Sequence, residues 1–342
     1  MIEKYELSIL LEKYGINPKK VIDKNENILT YGEYIDINNT LDYLVNELNI
    51  NTIYIEKCPS IMYLNVSSIK SNVKFLKKNK IRFSSVENCL HVLSTTPEQL
   101  EETYEYVERK YGVNAIEKIT SILRVPKDKI IDIENLNIPN INKVDILSIA
   151  IGVNDIKEII KIIQSKEFKD YPELFTSTVL AYAKLEDIIK IINSEEFKKH
   201  PELFTSQVLA HAKLEDIKTL LNLPYFKEEK YKHLLTSSLL ANAKTVIKKL
   251  PILFEIAMDF EIEDYITTSY LIKSPSQNYA IISYLNDNNL PFVVDGKLNS
   301  MFNFQPMVLK KKYNIDLKEI MEMYPLPLKY EEGEKVKWIL MN

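Results

Sequence analysis

Glycine is scarce in this sequence, with six residues in 342. Scattered singly, they cannot build a phosphate-cradling loop or a dinucleotide fingerprint, both of which need clustered glycines where a strand turns into a helix. Cysteine is rarer still: Cys58 and Cys89 stand far from any Cys-x-x-Cys or Cys/His ligand spacing. A disulfide framework and a zinc site are therefore not expected, and both thiols are read as reduced and buried. The four histidines, His91, His200, His211 and His233, show no His-Glu-x-x-His spacing, and no Ser/His/Asp elbow is present. His91, beside Leu90, Val92 and Leu93, reads as half-buried. Nowhere do roughly 18 uncharged apolar residues run together, so no membrane span is expected. The start, Met1 to Glu6, carries both charge signs and no apolar segment leading to a small-residue cleavage site. The expectation is a cytoplasmic binding module, monomeric, with no catalytic residue, no metal and no cofactor.

What is present is a soluble-type balance of 46% hydrophobic and 27% charged residues, with net charge −4. The charge is unevenly spread. Residues 50 to 130 hold 13 Lys and Arg against 9 Asp and Glu, so this stretch is +4 and the remainder −8. With so little glycine, and reading no Asn-Gly or Asp-Gly turn between alternating strands, the composition disfavours a β-protein.

Internal self-similarity is the strongest signal. The segment from Pro172-Glu173-Leu174-Phe175-Thr176-Ser177 to Ala183-Lys184-Leu185-Glu186-Asp187-Ile188 returns 29 residues later as Pro201-Glu202-Leu203-Phe204-Thr205-Ser206 to Ala212-Lys213-Leu214-Glu215-Asp216-Ile217. A third copy runs from Leu234 to Lys244, and worn copies lie at Ser148 to Ile163 and from Thr268. Within one unit the pattern predicts a first helix from about Pro172 to Ala183 and a second from Leu185 to Asn193, then a serine-capped turn at Ser194. In the N-terminal half, Cys58 to Leu64 lines up 31 residues on with Cys89 to Leu93, and fainter copies begin near Asn27-Ile28-Leu29 and Ser121-Ile122-Leu123. The expected fold is all-α: a right-handed helical-repeat solenoid, a superhelix of about eight to nine repeats of two helices and a short 3₁₀ turn. Residues 1–342 form one such body, with diverged repeats in 1–134, an irregular Asn-rich join at 135–145, and a second half at 146–342 whose copies between 148 and 245 are near-identical.

Pro59-Ser60-Ile61-Met62-Tyr63-Leu64, followed by Phe75-Leu76-Lys77-Lys78-Asn79-Lys80-Ile81, resembles the repeat of the mitochondrial transcription termination factor (mTERF) family. The same ending recurs as Tyr111-Gly112-Val113 and Tyr313-Asn314-Ile315, and Tyr324-Pro325 closes the array. The resemblance covers roughly residues 24 to 325. It implies two longer helices and one short 3₁₀-like helix per repeat, and nucleic-acid binding along a basic groove.

Two basic series are the candidate sites. Lys70, Lys74, Lys77, Lys78, Lys80 and Arg82 have no acidic residue among them, and the first four fall at helical spacing, a cationic ridge suited to phosphates; the plainer reading is a solvated helix face. Lys184, Lys213 and Lys244 occupy one place in three successive repeats and should line up as a ladder. Two residues before each stands a variable one, Tyr182, His211 and Asn242, as in modular readers with one variable position per repeat. The alternative is that the helix ends there and the lysines pair with Glu186/Asp187 and Glu215/Asp216. Lys310-Lys311-Lys312 could extend a basic edge or complement a helix C-terminus. The ligand is expected to be RNA or DNA, or else a protein partner held on a concave face, as the sequence pI near 5.8 would favour.

Overall fold

The computed structural model describes residues 3–22, 34–81, 90–327 and 329–330. Arg82, Cys89, the faint copy near Asn27 and the acidic tail with Trp338 lie outside them. The chain is all-α apart from one two-stranded hairpin among the described residues. That hairpin corrects the reading of the turns. Val293–Val294 pairs antiparallel with Lys297–Leu298 across Asp295 and Gly296, whose φ values are 51° and 70°. Two left-handed residues between paired strands are what a two-residue hairpin turn demands, and Asp-Gly supplies them. No helix of the described residues is long and apolar enough to cross a membrane.

Two compact units divide the chain, residues 1–160 and 161–342. In the first, a short helix, a 3₁₀ turn and a longer helix recur. Thr52–Lys57, Pro59–Tyr63 and Val66–Lys78 are one set; Val113–Lys118, Thr120–Arg124 and Lys127–Asn135 are another. Between them come the 3₁₀ turn Leu90–Val92 and the helix Pro97–Tyr111. Each longer helix buries an apolar stripe, such as Ile69, Val73 and Leu76, or Leu100, Tyr104 and Val107. A buried polar side chain then reaches the backbone that follows. Thr40 Oγ1 donates to Leu64 O (3.1 Å), Asn72 Nδ2 to Leu93 O (3.1 Å) and Thr95 O (2.6 Å), and Thr103 Oγ1 to Val125 O (2.9 Å). The carbonyls where a 3₁₀ turn ends have no partner in their own turn, and these donors satisfy them from the preceding longer helix.

The ending at Lys80, one of those that carry the family resemblance, shares its geometry with the helix ends at Gly15 and Glu261. Gly15, Lys80 and Glu261 take φ values of 71°, 58° and 56°. The next residue's N–H then bonds five residues back: Ile16 to Leu11 O, Ile81 to Leu76 O and Ile262 to Ala257 O, at 3.0, 3.0 and 2.9 Å. Each of these isoleucines is buried. This is the left-handed stop with its apolar clasp, and it explains the aliphatic residue at these three ends; the ending at Gly112 differs, with ψ 160° and an exposed Val113.

In the second unit the expected helix from Pro172 to Ala183 is broken. Pro172–Leu174 forms a 3₁₀ turn, Phe175 leaves helical space (φ −94°, ψ 69°), and a new helix spans Ser177–Tyr182. Phe175 turns inward to 3% exposure against Phe168, ring centroids 5.2 Å apart. Phe204 does the same against Phe197 at 5.4 Å. Burying a phenylalanine contributes about 1.5–3 kcal/mol, while an interrupted helix bond costs a net of about 0.5–1.5, so packing overrides continuity. The second helix, Leu185–Ile192, follows the expected course, and Ser194 Oγ accepts from Phe197 N at 3.1 Å as the foreseen cap. The helices Ser177–Tyr182, Ser206–His211, Ser237–Ala241 and Thr268–Ile272 pack one on the next in series.

Candidate nucleic-acid interface

The lysine ridge of the first unit sits on the helix Val66–Lys78, capped by Asn65, whose side chain accepts from Ser67 N at 2.8 Å. Ile69, Asn72, Val73 and Leu76 face the core, which leaves Lys70, Lys74, Lys77 and Lys78 exposed. Lys70 is engaged: its ammonium lies 3.5 Å from a Glu47 carboxylate oxygen and 4.6 Å from the Tyr43 ring centre. Lys74, Lys77, Lys78 and the left-handed Lys80 form no ion pair among the described residues. The ridge does not extend into the next repeat. Thirty-one residues on, the places of Lys70, Lys74 and Lys77 are taken by exposed Glu101, Glu105 and Glu108 on Pro97–Tyr111. Beyond them, Glu134 gathers Tyr106 (2.6 Å), Lys110 and Tyr111. Burial alone would push the Glu134 carboxyl up, but these three donors outweigh it and hold it below its usual range.

Sequence reasoning missed a contact between repeats: Cys58 Sγ and His91 Nδ1 approach to 3.2 Å. Cys58 is buried and its thiol is pushed up by desolvation, whereas His91, exposed on one side, is lowered by burial and then by the charge of Arg124. His91 falls at the place of Ser60 in the preceding repeat, and that equivalence was the available signal.

In the second unit the stacked helices bring the variable positions of adjacent repeats together. Tyr182, 56% exposed, and the exposed His211 have ring centroids 5.8 Å apart at a tilt of 36°. Asn242 takes a different local role, since its Nδ2 donates to Ser238 O at 2.8 Å within its own helix end. Lys184, Lys213 and Lys244 are all exposed. Lys184 and Lys213 are the residues just before Leu185–Ile192 and Leu214–Leu221, whereas Lys244 lies in the first turn of Ala243–Asp259. None of the three pairs with a neighbouring carboxylate among the described residues; Glu186 is held instead by Lys190 at 2.7 Å. A lysine before a helix start neither caps the first amides nor suits the positive helix end. Two successive repeats nonetheless keep one there. At the far end, Lys310 pairs with Asp316 at 2.6 Å and Lys312 lies over the Phe304 ring at 4.7 Å, so this run serves its own helix end.

No family model, no curated protein and no solved structure matches this chain. A pair of exposed rings from two adjacent repeats, each beside a lysine with no ion pair among the described residues, offers flat faces for stacking and fixed positive charges for phosphates. Among the described residues no three His, Cys, Asp or Glu side chains gather to hold a metal ion.

Proposed function

We propose that this chain is a non-enzymatic helical-repeat protein that binds single-stranded nucleic acid along the Tyr182–His211 edge of its second unit. Bases stack on the two rings, and phosphates meet Lys184, Lys213 and Lys244. The observation that carries the reading is the register of two exposed rings from adjacent repeats, 5.8 Å apart, each two residues from a lysine without an ion pair among the described residues. The series packing of the 29-residue copies supports a solenoid-like stacking of repeats within that unit. The mTERF-like endings extend the same expectation to the first unit, where Lys74, Lys77 and Lys78 are a second phosphate contact. A single strand is favoured over a duplex because unstacked bases can use aromatic faces, and because a net charge of −4 with a ridge that reverses sign suits few phosphate contacts rather than many. The role is in RNA metabolism or transcription.

Fluorescence anisotropy with labelled single-stranded and duplex oligonucleotides of one sequence tests this. The single strand binds more tightly, and replacing Tyr182 and His211 together by Ala weakens it at least about tenfold, since base stacking contributes roughly 1–3 kcal/mol per base. Equal binding of the duplex, or an unchanged affinity in the double variant, overturns the proposal.

A further inference from the structure

The same repeats that form the aromatic edge also form two clefts in register, one repeat apart. The first, about 520 Å³, is lined by Glu167, Glu173, Leu174, Asn193 and Phe197 among others. The second, about 500 Å³, is lined at the same repeat positions by Glu196, Glu202, Leu203, Asn222 and Phe226. Both clefts therefore share two glutamates, an amide and an apolar wall, and that combination is written into the 29-residue repeat itself; the first adds Asp170, and each also holds two lysines, Lys166 and Lys198 in the first and Lys199 and Lys232 in the second.

The charges in the clefts are only partly answered from within. In the first, Lys166 lies 3.9 Å from Asp170 and Lys198 pairs with Glu195 at 2.9 Å, leaving Glu167 and Glu173 without an ion pair among the described residues. In the second, Glu196 Oε2 is shielded from solvent with no hydrogen-bond partner, its salt-bridging Lys218 ammonium standing 3.9 Å away. Among the described residues Glu202 has only His200 Nδ1, at 3.4 Å. Asn222 Nδ2 is used on Lys218 O at 2.9 Å, which leaves its carbonyl oxygen free to accept. Lys199 also lines this cleft, where the first has Asp170, and so does Lys232, which is taken up by Glu229 at 2.5 Å.

We infer that these two clefts bind an extended basic peptide, one arginine side chain in each. A guanidinium supplies several donors in a plane and matches a carboxylate pair, while its aliphatic stem covers the leucine wall. Neighbouring repeats are set about 8–10 Å apart by helix packing, and a polyproline-type strand returns every third side chain to the same face after about 9 Å. The occupant is thus a peptide with arginines three residues apart. This site uses other residues than the Tyr182–His211 edge, so either can fail without the other.

The test compares two labelled hexapeptides of equal charge, Arg-Pro-Pro-Arg-Pro-Pro and Arg-Arg-Pro-Pro-Pro-Pro, on the full chain. The spaced peptide binds at least about tenfold more tightly, because only it engages both clefts at once. Glu173→Gln with Glu202→Gln, both at exposed positions, removes that advantage, and Lys199→Asp strengthens binding of the spaced peptide. Tyr182→Ala leaves it unchanged. Equal affinity for the two peptides, preference for an acidic peptide, or full binding by the Glu→Gln pair overturns the inference.

Discussion

Replacing Asn72 by Ala strikes the bond between two repeats of the first unit. The side chain is fully buried, and its Nδ2 serves two backbone carbonyls, Leu93 O at 3.1 Å and Thr95 O at 2.6 Å. Two neutral hydrogen bonds contribute a net of about 1 kcal/mol each, and leaving their acceptors dry adds about 1–3 kcal/mol. Two gains offset part of this. The Asn72 Oδ1 has no partner among the described residues, so its removal recovers some desolvation cost. Alanine is also the better helix former by about half a kcal/mol in the middle of Val66–Lys78. The expected loss is about 2–3 kcal/mol. Urea unfolding followed by far-UV circular dichroism reads it as a lower midpoint at unchanged slope, against Ser71→Ala, whose exposed side chain on the same helix should change stability by less than about 0.5 kcal/mol. If Asn72→Ala matches Ser71→Ala, the inter-repeat clasp is not what holds these repeats together.

Lys80, left-handed with φ 58°, should be relieved by glycine: Lys80→Gly gains up to about 1 kcal/mol in the same urea assay, and a loss instead would mean that its side chain anchors the helix end. His91 makes the first unit sensitive to acid. Its folded pKa lies below the usual 6.5, so the unfolded chain takes up the proton first; stability is full above about pH 6.5 and falls as pH drops from there towards the folded value. His91→Gln should abolish that part of the decline, and an identical pH profile in the variant would contradict the assignment. Gly296→Ala in the hairpin turn meets no atom within 4 Å, so its cost is the left-handed backbone alone, about 1 kcal/mol, read as lost amide protection at Asn299, whose N–H donates to Phe292 O at 2.7 Å across the hairpin.

Much of the helical framework was legible. The 29-residue recurrence, the serine cap at Ser194 and the restart at Leu185 follow from local rules, and each stands in the structure. The break at Phe175 was not legible, because helix periodicity places Leu174, Phe175 and Val179 on one face and says nothing of the Phe168 ring waiting beyond it. Asp295-Gly296 was a readable turn that the scarcity of glycine concealed. The lysines stand exposed, which a solvated face and a phosphate ridge would both show, yet the carboxylate partners offered as the alternative do not hold them, since Glu186 pairs with Lys190 one turn along its own helix and not with Lys184 before it. The clefts were invisible for a different reason. Each is assembled from positions far apart within a repeat, Glu173 and Asn193 for example, and only stacking brings them together.

The most direct test of the nucleic-acid reading is the salt dependence of single-strand affinity in the wild-type chain and in the variant with Lys184, Lys213 and Lys244 all replaced by Ala. Each phosphate contact on a single strand contributes about 0.7 to the slope of log affinity against log salt, so losing three should reduce its magnitude by about 2 while the fold, read by circular dichroism, is kept. An identical slope in the two proteins would show that these lysines do not meet phosphates and would contradict the account.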